Sequence, residues 1–103
     1  MTTHWLPSAT LQTLRQRAKL LAAIRPFFAS HDVLEVETPA LMPTTATDIY
    51  IDSYRLADSP LFLQTSPEFP LKRLLAAGSG SIFQLGRVFR QDAPSKRHNH
   101  EFT

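Results

Sequence analysis

The sequence of 103 residues contains no cysteine and only three glycines. The absence of cysteine excludes disulfide cross-links and thiolate metal sites. So few glycines leave little material for a glycine-rich phosphate-binding loop. No apolar run approaches the roughly 20 residues that a membrane-spanning helix needs, and the first residues lack the charged-then-apolar pattern of a secretory signal. These absences predict a soluble, cytoplasmic protein.

The net charge is also small, at +2. A charge of this size does not indicate a nucleic-acid-binding surface, which argues against a small RNA-binding domain. Basic residues are nevertheless concentrated near the C-terminus and are only partly offset by two acids. The residues concerned are Arg87, Arg90, Lys96 and Arg97, with Asp92 and Glu101. This local excess favours a site for an anionic ligand.

The length is sufficient for one small domain and too short for two. Hydrophobic residues make up 43% of the chain, as expected of a folded protein. The chain ends at 101–103 within a predicted strand, whereas domains commonly end in a cap, a turn or a polar tail. We therefore expect the sequence to be the front part of a longer protein.

Two helices are predicted. Ser8 is a suitable N-cap for a first helix that runs to about Ser30, and Pro26 should kink or split it. The second helix should begin at 66–68, with a capping serine, a proline at the first helical position and an acid in the first turn. Gly78 is a suitable C-terminal cap for it.

Five short segments are predicted to be strands because they are β-branched, aromatic or alternating. They are residues 33–37, 49–54, 61–64, 81–90 and a returning strand from about 98. Residues 42–47 are small and polar and indicate a loop. The order α–β–β–β–α–β–β predicts an α/β (α+β) fold with a mixed or antiparallel sheet and helices packed on it.

The predicted hairpin at the C-terminus contains the residues that are best suited to binding a ligand. Side chains alternate along a strand, so Val88, Arg90 and Asp92 share one face and Arg87 lies on the other. The guanidinium of Arg90 is a planar set of donors suited to phosphate oxygens. A solvent-exposed hairpin with hydrated charges is the simpler alternative.

The returning strand adds polar groups and an aromatic plane from His98, Asn99 and Phe102. A base could stack on this plane, although Phe89 and Phe102 could equally be ordinary core residues. His98 and His100 lack a third ligand at suitable spacing, so no metal site is predicted.

Three segments resemble motifs of class II aminoacyl-tRNA synthetases of the lysyl type. Residues 89–92 (FRQD), a loop and 97–103 (RHNHEFT) resemble motif 2, with its F-R-N-E and H-N-P-E-F-T pattern. Residues 33–39 (VLEVETP) resemble motif 1, and 64–74 (QTSPE, then LKRL) resemble the substrate-recognition segment. The resemblance implies that 1–103 is the N-terminal portion of such a catalytic domain, an incomplete mixed or antiparallel sheet flanked by helices and lacking motif 3.

The resemblance also implies roles for individual residues. Arg90 would bind the α-phosphate of ATP and stabilise the charge that develops during adenylate formation. Asp92, an acid shorter than the glutamate of the pattern, would lie near the adenine and the motif 2 loop. The other nucleotide contacts would come from His98 and Asn99, and Phe102 would stack on adenine.

Two further roles follow from the resemblance outside motif 2. Glu68 would receive an ammonium group of the amino acid; alternatively it only favours the N-terminus of its helix. Pro39 closes motif 1, which builds the dimer interface in the family, so a homodimer is implied. Pro39 could also be only a strand terminator. His100 replaces the usual proline of the pattern, and Pro26 has no recognised counterpart.

Within the family, the motif 1 helix begins close to Met1, and residues 45–49 (TATDI) resemble a run in the lysyl-tRNA-synthetase-like ligases that modify elongation factor P. The resemblance therefore implies ATP-dependent activation of lysine or (R)-β-lysine, with Mg²⁺ neutralising phosphates, and transfer to a lysine of elongation factor P. The alternatives are a fragment of a lysyl-tRNA synthetase, with tRNA as the acceptor, and a non-catalytic dimerising or interaction remnant. Without motif 3, we expect the 103 residues alone to be inactive.

Overall fold

A computed structural model describes residues 4–46, 52–91 and 99–103. The elements are α1 (Leu11–Ser30), β1 (Leu34–Glu35), β2 (Leu41–Met42), β3 (Phe62–Leu63), α2 (Glu68–Ala76), β4 (Ile82–Phe83), β5 (Val88–Phe89) and β6 (Glu101–Phe102). The chain divides into two compact units, Met1–Val33 and Leu34–Thr103. The first unit contains α1, and the second contains every described strand together with α2.

The N-cap of the first helix lies two residues after Ser8, where it was predicted. Thr10 has an extended backbone, and its side-chain oxygen accepts a hydrogen bond from the amide of Thr13 at 3.1 Å. This contact satisfies one of the free amides of the first turn, so Thr10 is the N-cap. The prediction of Ser8 as the cap was wrong, because Thr10 has the same capping chemistry and takes that position.

Pro26 does not split the helix, which continues from Leu11 to Ser30. Proline deprives the carbonyl of Ala22 of its usual amide partner. Both residues are exposed, and water can reach that carbonyl. Of the two predicted outcomes, a kink or a split, the split was therefore wrong. The helix ends at Ser30, with His31 as its C-cap, and the positive φ of 56° at Asp32 lets the amide of Val33 return to the carbonyl of Phe28 at 3.0 Å.

The strands form three two-stranded sheets, one parallel and two antiparallel. β1 pairs in parallel with β4, whereas β2 pairs with β3 and β5 pairs with β6 in the antiparallel sense. The predicted mixed α/β fold is confirmed. The β2 strand lies where the sequence predicted the start of a loop, because two residues are too few to give a period.

The predicted single strand over 81–90 is two strands with different partners. β4 pairs with β1, and β5 pairs with β6. The chain changes partner across residues 84–87, where Gly86 lies so close to Gln84 that a Cβ atom at position 86 would be 2.8 Å from Gln84 Nε2. The segment is rich in β-branched and aromatic residues on both sides of the break, and for that reason the sequence alone suggested one continuous strand.

The second helix has the predicted C-terminal cap and a different N-terminal one. Pro67 is the N-cap, without a side-chain hydrogen bond, so the capping role predicted for Ser66 was wrong. Gly78 has φ 94°, and the amides of Gly78 and Ser79 return to the carbonyls of Leu75 and Leu74. These two contacts are the Schellman arrangement that a glycine permits, and the predicted cap is confirmed.

The predicted strand over 49–54 lies partly outside the described residues, which resume at Asp52. From there Arg55 forms an isolated antiparallel bridge with Phe62. Over the parts of the chain that are described, no helix has the length and apolar character needed to cross a membrane.

Candidate active site

The backbone around Arg90 is held from three directions. The amides of residues 89–91 donate to three segments that are distant in sequence. The pairs are Phe89 to Gln64 at 2.9 Å, Arg90 to His100 at 2.9 Å and Gln91 to Asp52 at 3.0 Å. Three successive hydrogen bonds to separate segments leave the peptide of Arg90 little freedom, so its side chain has a defined origin.

The side chain of Arg90 lies on the same face of the hairpin as Phe102. Val88 pairs with Phe102 in the β5–β6 register, and Arg90 is two residues further along the strand. The guanidinium carbon is 5.1 Å from the centre of the Phe102 ring, within the range of a cation–π contact. Arg87 forms an exposed ion pair with Glu101 at 3.2 Å, which is consistent with the two arginines pointing to opposite faces.

One nitrogen of Arg90 is left without a partner. Its Nε is buried and has no hydrogen bond within the described part of the chain. Arg90 lines a cavity of about 200 Å³ together with polar groups of Thr65, Ser66, Gln84 and Thr103. A buried N–H that lacks an acceptor costs about 1–3 kcal/mol. Because Arg90 lines the cavity, an anion bound there would lie against a cationic residue.

A second cavity of about 260 Å³ adjoins the first and shares Gln84 and Gly86 with it. Gln84 accepts a hydrogen bond from the hydroxyl of Thr38 at 2.7 Å. Because this bond fixes one end of the amide, the other end faces Gly86 and the shared wall. Gln84 is thus an oriented polar group between the cavities, which the sequence analysis did not identify.

The segment at 64–65, next to Arg90, is fixed by hydrogen bonds of its buried polar side chains. Thr65 is 1% exposed, and its hydroxyl and its amide both lie 3.2 Å from the hydroxyl oxygen of Thr45. Gln64 is 3% exposed and donates to the carbonyl of Thr44 at 2.7 Å. Buried polar groups are stable when paired in this way. The network therefore secures the segment that accepts the amide of Phe89.

The carboxylate of Glu68 already forms an ion pair with a lysine. Lys72 Nζ lies 2.8 Å from it, one helical turn away on α2. Glu68 is not among the described residues that line either cavity. Glu68 directly follows Ser66 and Pro67, which line the smaller cavity, but only along the sequence. Its predicted role stays a prediction.

The remaining predicted site residues are distributed as follows. Asp92 and His98 lie outside the described residues. Asn99 is exposed, and Pro39 is exposed and lines the larger cavity. Phe102 is 37% exposed, so it is not a core aromatic of this chain. Of the predicted site residues, the structure brings Arg90 and Phe102 into contact.

Sequence reasoning also missed Tyr54 and His100, which contact one another near Arg90. Their separation of 46 positions gives no local signal that could have paired them. No group of three or more histidine, cysteine, aspartate or glutamate side chains suitable for a metal ion occurs in residues 4–46, 52–91 and 99–103.

A cleft lined by an arginine, beside an exposed aromatic on an antiparallel hairpin, is suited to a nucleotide phosphate and base. Comparison with known proteins agrees with the class that this suggests: residues 3–103 match the family of class II tRNA synthetases for aspartate, lysine and asparagine. The chain belongs to this family.

Curated relatives share about half of its residues. A Vibrio parahaemolyticus protein is 50% identical over 100% of this chain and 34% of its own length, and a Photorhabdus laumondii protein is 52% identical over 99% and 34%. A Haemophilus ducreyi protein is 52% identical over 97% and 33%. Each is named elongation factor P–(R)-β-lysine ligase. The chain spans about a third of the length of these relatives.

Proposed function

We propose that this chain supplies the α-phosphate-binding part of an ATP-dependent ligase that activates lysine or (R)-β-lysine and transfers it to a lysine of elongation factor P. The observation that supports the proposal is Arg90, which lines the smaller cavity and contacts Phe102, and whose buried Nε has no acceptor among the described residues. The name shared by the relatives supports the choice of substrate and acceptor. Ligases of the class II synthetase type use ATP and Mg²⁺.

The reaction proceeds in two steps. A carboxylate oxygen of the amino acid attacks the α-phosphorus, the bond to the bridging oxygen breaks, and pyrophosphate leaves with the electron pair. An amine of the acceptor then attacks the acyl carbon, an amide forms, and AMP leaves. Arg90 donates to the α-phosphate oxygens, and its fixed charge stabilises the additional negative charge of the transition state. Mg²⁺, when bound, would neutralise the other phosphates.

Phe102 is the proposed platform for the adenine. An exposed aromatic ring offers a π-face that any base can cover, and such stacking contributes roughly 1–3 kcal/mol. One face of the ring is occupied by the Arg90 guanidinium at 5.1 Å. The base would stack on the free face, while the arginine reaches the phosphate from the other side. His98, Asn99 and Asp92 remain proposed contacts around the base.

Glu68 is proposed to hold the ammonium group of the amino acid. Its present partner, Lys72, is 65% exposed, and Glu68 is 43% exposed. Exposed pairs one helical turn apart contribute only about 0.3–0.5 kcal/mol. A substrate ammonium can therefore replace Lys72 at little cost.

A homodimer is proposed through motif 1, where Pro39 is exposed. The helix that precedes this motif has no buried residue and leaves large apolar side chains uncovered. These are Leu11, Leu14, Leu20 and Phe27. Uncovered apolar surface of this kind is typical of protein interfaces.

The test uses the protein encoded by the complete reading frame and compares Arg90→Ala with Arg87→Ala. Arg87 is a matched control because it lies three residues away and forms an exposed ion pair with Glu101; it lines the larger cavity but not the one that Arg90 lines. Amino-acid-dependent exchange of pyrophosphate into ATP should fall at least roughly 100-fold in Arg90→Ala, as for other lost transition-state donors. It should change by less than about threefold in Arg87→Ala. Equal activities of the two variants would refute the role of Arg90.

A further inference from the structure

Tyr54 and His100 form a side-chain pair next to the motif 2 hairpin. The Tyr54 hydroxyl oxygen lies 2.5 Å from His100 Nδ1, and the two rings meet edge to face with centroids 5.9 Å apart. The short distance and the ring contact define one relative orientation for the two side chains. This pair was not part of the site that the sequence predicted.

His100 contacts both polar groups of the Arg90 backbone. Its carbonyl accepts the Arg90 amide at 2.9 Å, and its Nδ1 lies 3.3 Å from the Arg90 carbonyl oxygen. Nδ1 therefore lies within hydrogen-bond reach of two oxygens, the Tyr54 hydroxyl and the Arg90 carbonyl. The imidazole is thereby held between the tyrosine and the arginine backbone.

Tyr54 is itself anchored to the sheet. Its carbonyl accepts the amide of Leu63 in β3 at 2.9 Å. The next residue, Gln64, accepts the amide of Phe89 at 2.9 Å. Arg90 is therefore connected to the segment at 63–64 by two routes, one through the backbone of β5 and one through Tyr54 and His100.

We propose that Tyr54 and His100 are positioning residues for Arg90: they fix the peptide from which its guanidinium reaches the α-phosphate. The inference rests on the proposed function of Arg90. A fixed donor stabilises the transition state because it requires no reorganisation when charge develops. Loosening its support therefore lowers kcat more than it weakens binding of ATP.

Position 100 departs from the motif 2 pattern. The motif 2 pattern that the sequence resembles has proline there, and proline has no side-chain nitrogen to place between Tyr54 and Arg90. The hydroxyl and the imidazole act as a unit in this geometry. Removing either one should have the same effect as removing both.

The experiment measures pyrophosphate exchange with the protein encoded by the complete reading frame, varying ATP, for Tyr54→Phe, His100→Ala, the double variant and His100→Asn. Tyr54→Phe removes one oxygen only and is the least disruptive change. His100→Asn keeps a side-chain N–H near the position of Nδ1. Arg87→Gln is the control for general hairpin stability, since it breaks only the exposed pair with Glu101.

We expect Tyr54→Phe and His100→Ala each to lower kcat by about 3- to 10-fold, the effect of one hydrogen bond, with KM for ATP changed less than about twofold. The double variant should match the singles, and His100→Asn should recover most of the rate. Wild-type kcat in Tyr54→Phe and His100→Ala, with activity still lost in Arg90→Ala, would overturn this inference alone. Retained activity in Arg90→Ala would instead refute the proposed function. A matching loss of kcat in Arg87→Gln would show that hairpin stability explains the effect and would also overturn the inference.

Discussion

Replacing Thr45 by valine should be more damaging than replacing its partner Thr65, although both substitutions remove the same hydroxyl–hydroxyl contact. The hydroxyl oxygen of Thr45 forms two hydrogen bonds with Thr65, one with its hydroxyl and one with its amide, each at 3.2 Å. Thr65 is 1% exposed, so water cannot replace a lost acceptor. In Thr45→Val, both the amide and the hydroxyl of Thr65 lose their partner.

The magnitudes follow from this asymmetry. An unsatisfied buried N–H costs about 1–3 kcal/mol, and a lost neutral hydrogen bond about 0.5–1.5 kcal/mol. Thr45→Val should therefore lower the free energy of unfolding by about 2–3 kcal/mol. Thr65→Val should lower it by about 1 kcal/mol, because Thr45 keeps its place and valine has nearly the same shape.

Urea unfolding followed by far-UV circular dichroism measures both values, provided that the dependence on urea is the same in each variant. Hydrogen exchange of the Thr65 amide is a local check and should be faster by roughly 30-fold in Thr45→Val, since 2 kcal/mol corresponds to that factor. Equal losses in the two variants, or a larger loss in Thr65→Val, would refute the reasoning. Either result would mean that the Thr65 amide finds another acceptor.

Two further predictions concern the neighbouring groups. Gly86→Ala should cost about 1 kcal/mol, because a Cβ 2.8 Å from Gln84 Nε2 displaces the amide and breaks its bond with Thr38. Thr38→Val should cost about as much, and calorimetry showing that the double variant loses the sum of both would contradict this coupling. Lys72→Met should change the free energy of unfolding by less than about 0.5 kcal/mol, since its pair with Glu68 is exposed. It should not raise KM for the amino acid in the exchange assay, and a large rise would place Lys72 itself in contact with the substrate.

Local chemistry made the ends of the elements predictable in part. Gly78 was identified as a cap because only a residue tolerant of positive φ can end a helix in that way, and its φ is 94°. Thr10 and Ser8 are chemically alike as caps, so the sequence could not choose between them. Pro26 was expected to kink or split α1; the helix is not split, and the carbonyl that loses its amide partner belongs to an exposed residue.

Longer-range pairing was the part that the sequence could not supply. The run 81–90 is typical of a strand in composition throughout, yet β4 and β5 have different partners. Alternation did predict that Arg90 and Arg87 face opposite sides, because the period of a strand is local. The contact between Tyr54 and His100 depends on how two distant segments fold together, which no pattern within either segment encodes.

The most direct test of the central claim is the intact mass of elongation factor P. The factor is incubated with ATP, Mg²⁺, the protein encoded by the complete reading frame, and either lysine or (R)-β-lysine, with Arg90→Ala in parallel. We expect a mass increase equal to one aminoacyl group on elongation factor P with the wild-type protein, and none with Arg90→Ala. An unchanged mass, with lysine attached instead to tRNA in the same assay, would contradict the proposed acceptor. Equal modification by both proteins would contradict the role of Arg90.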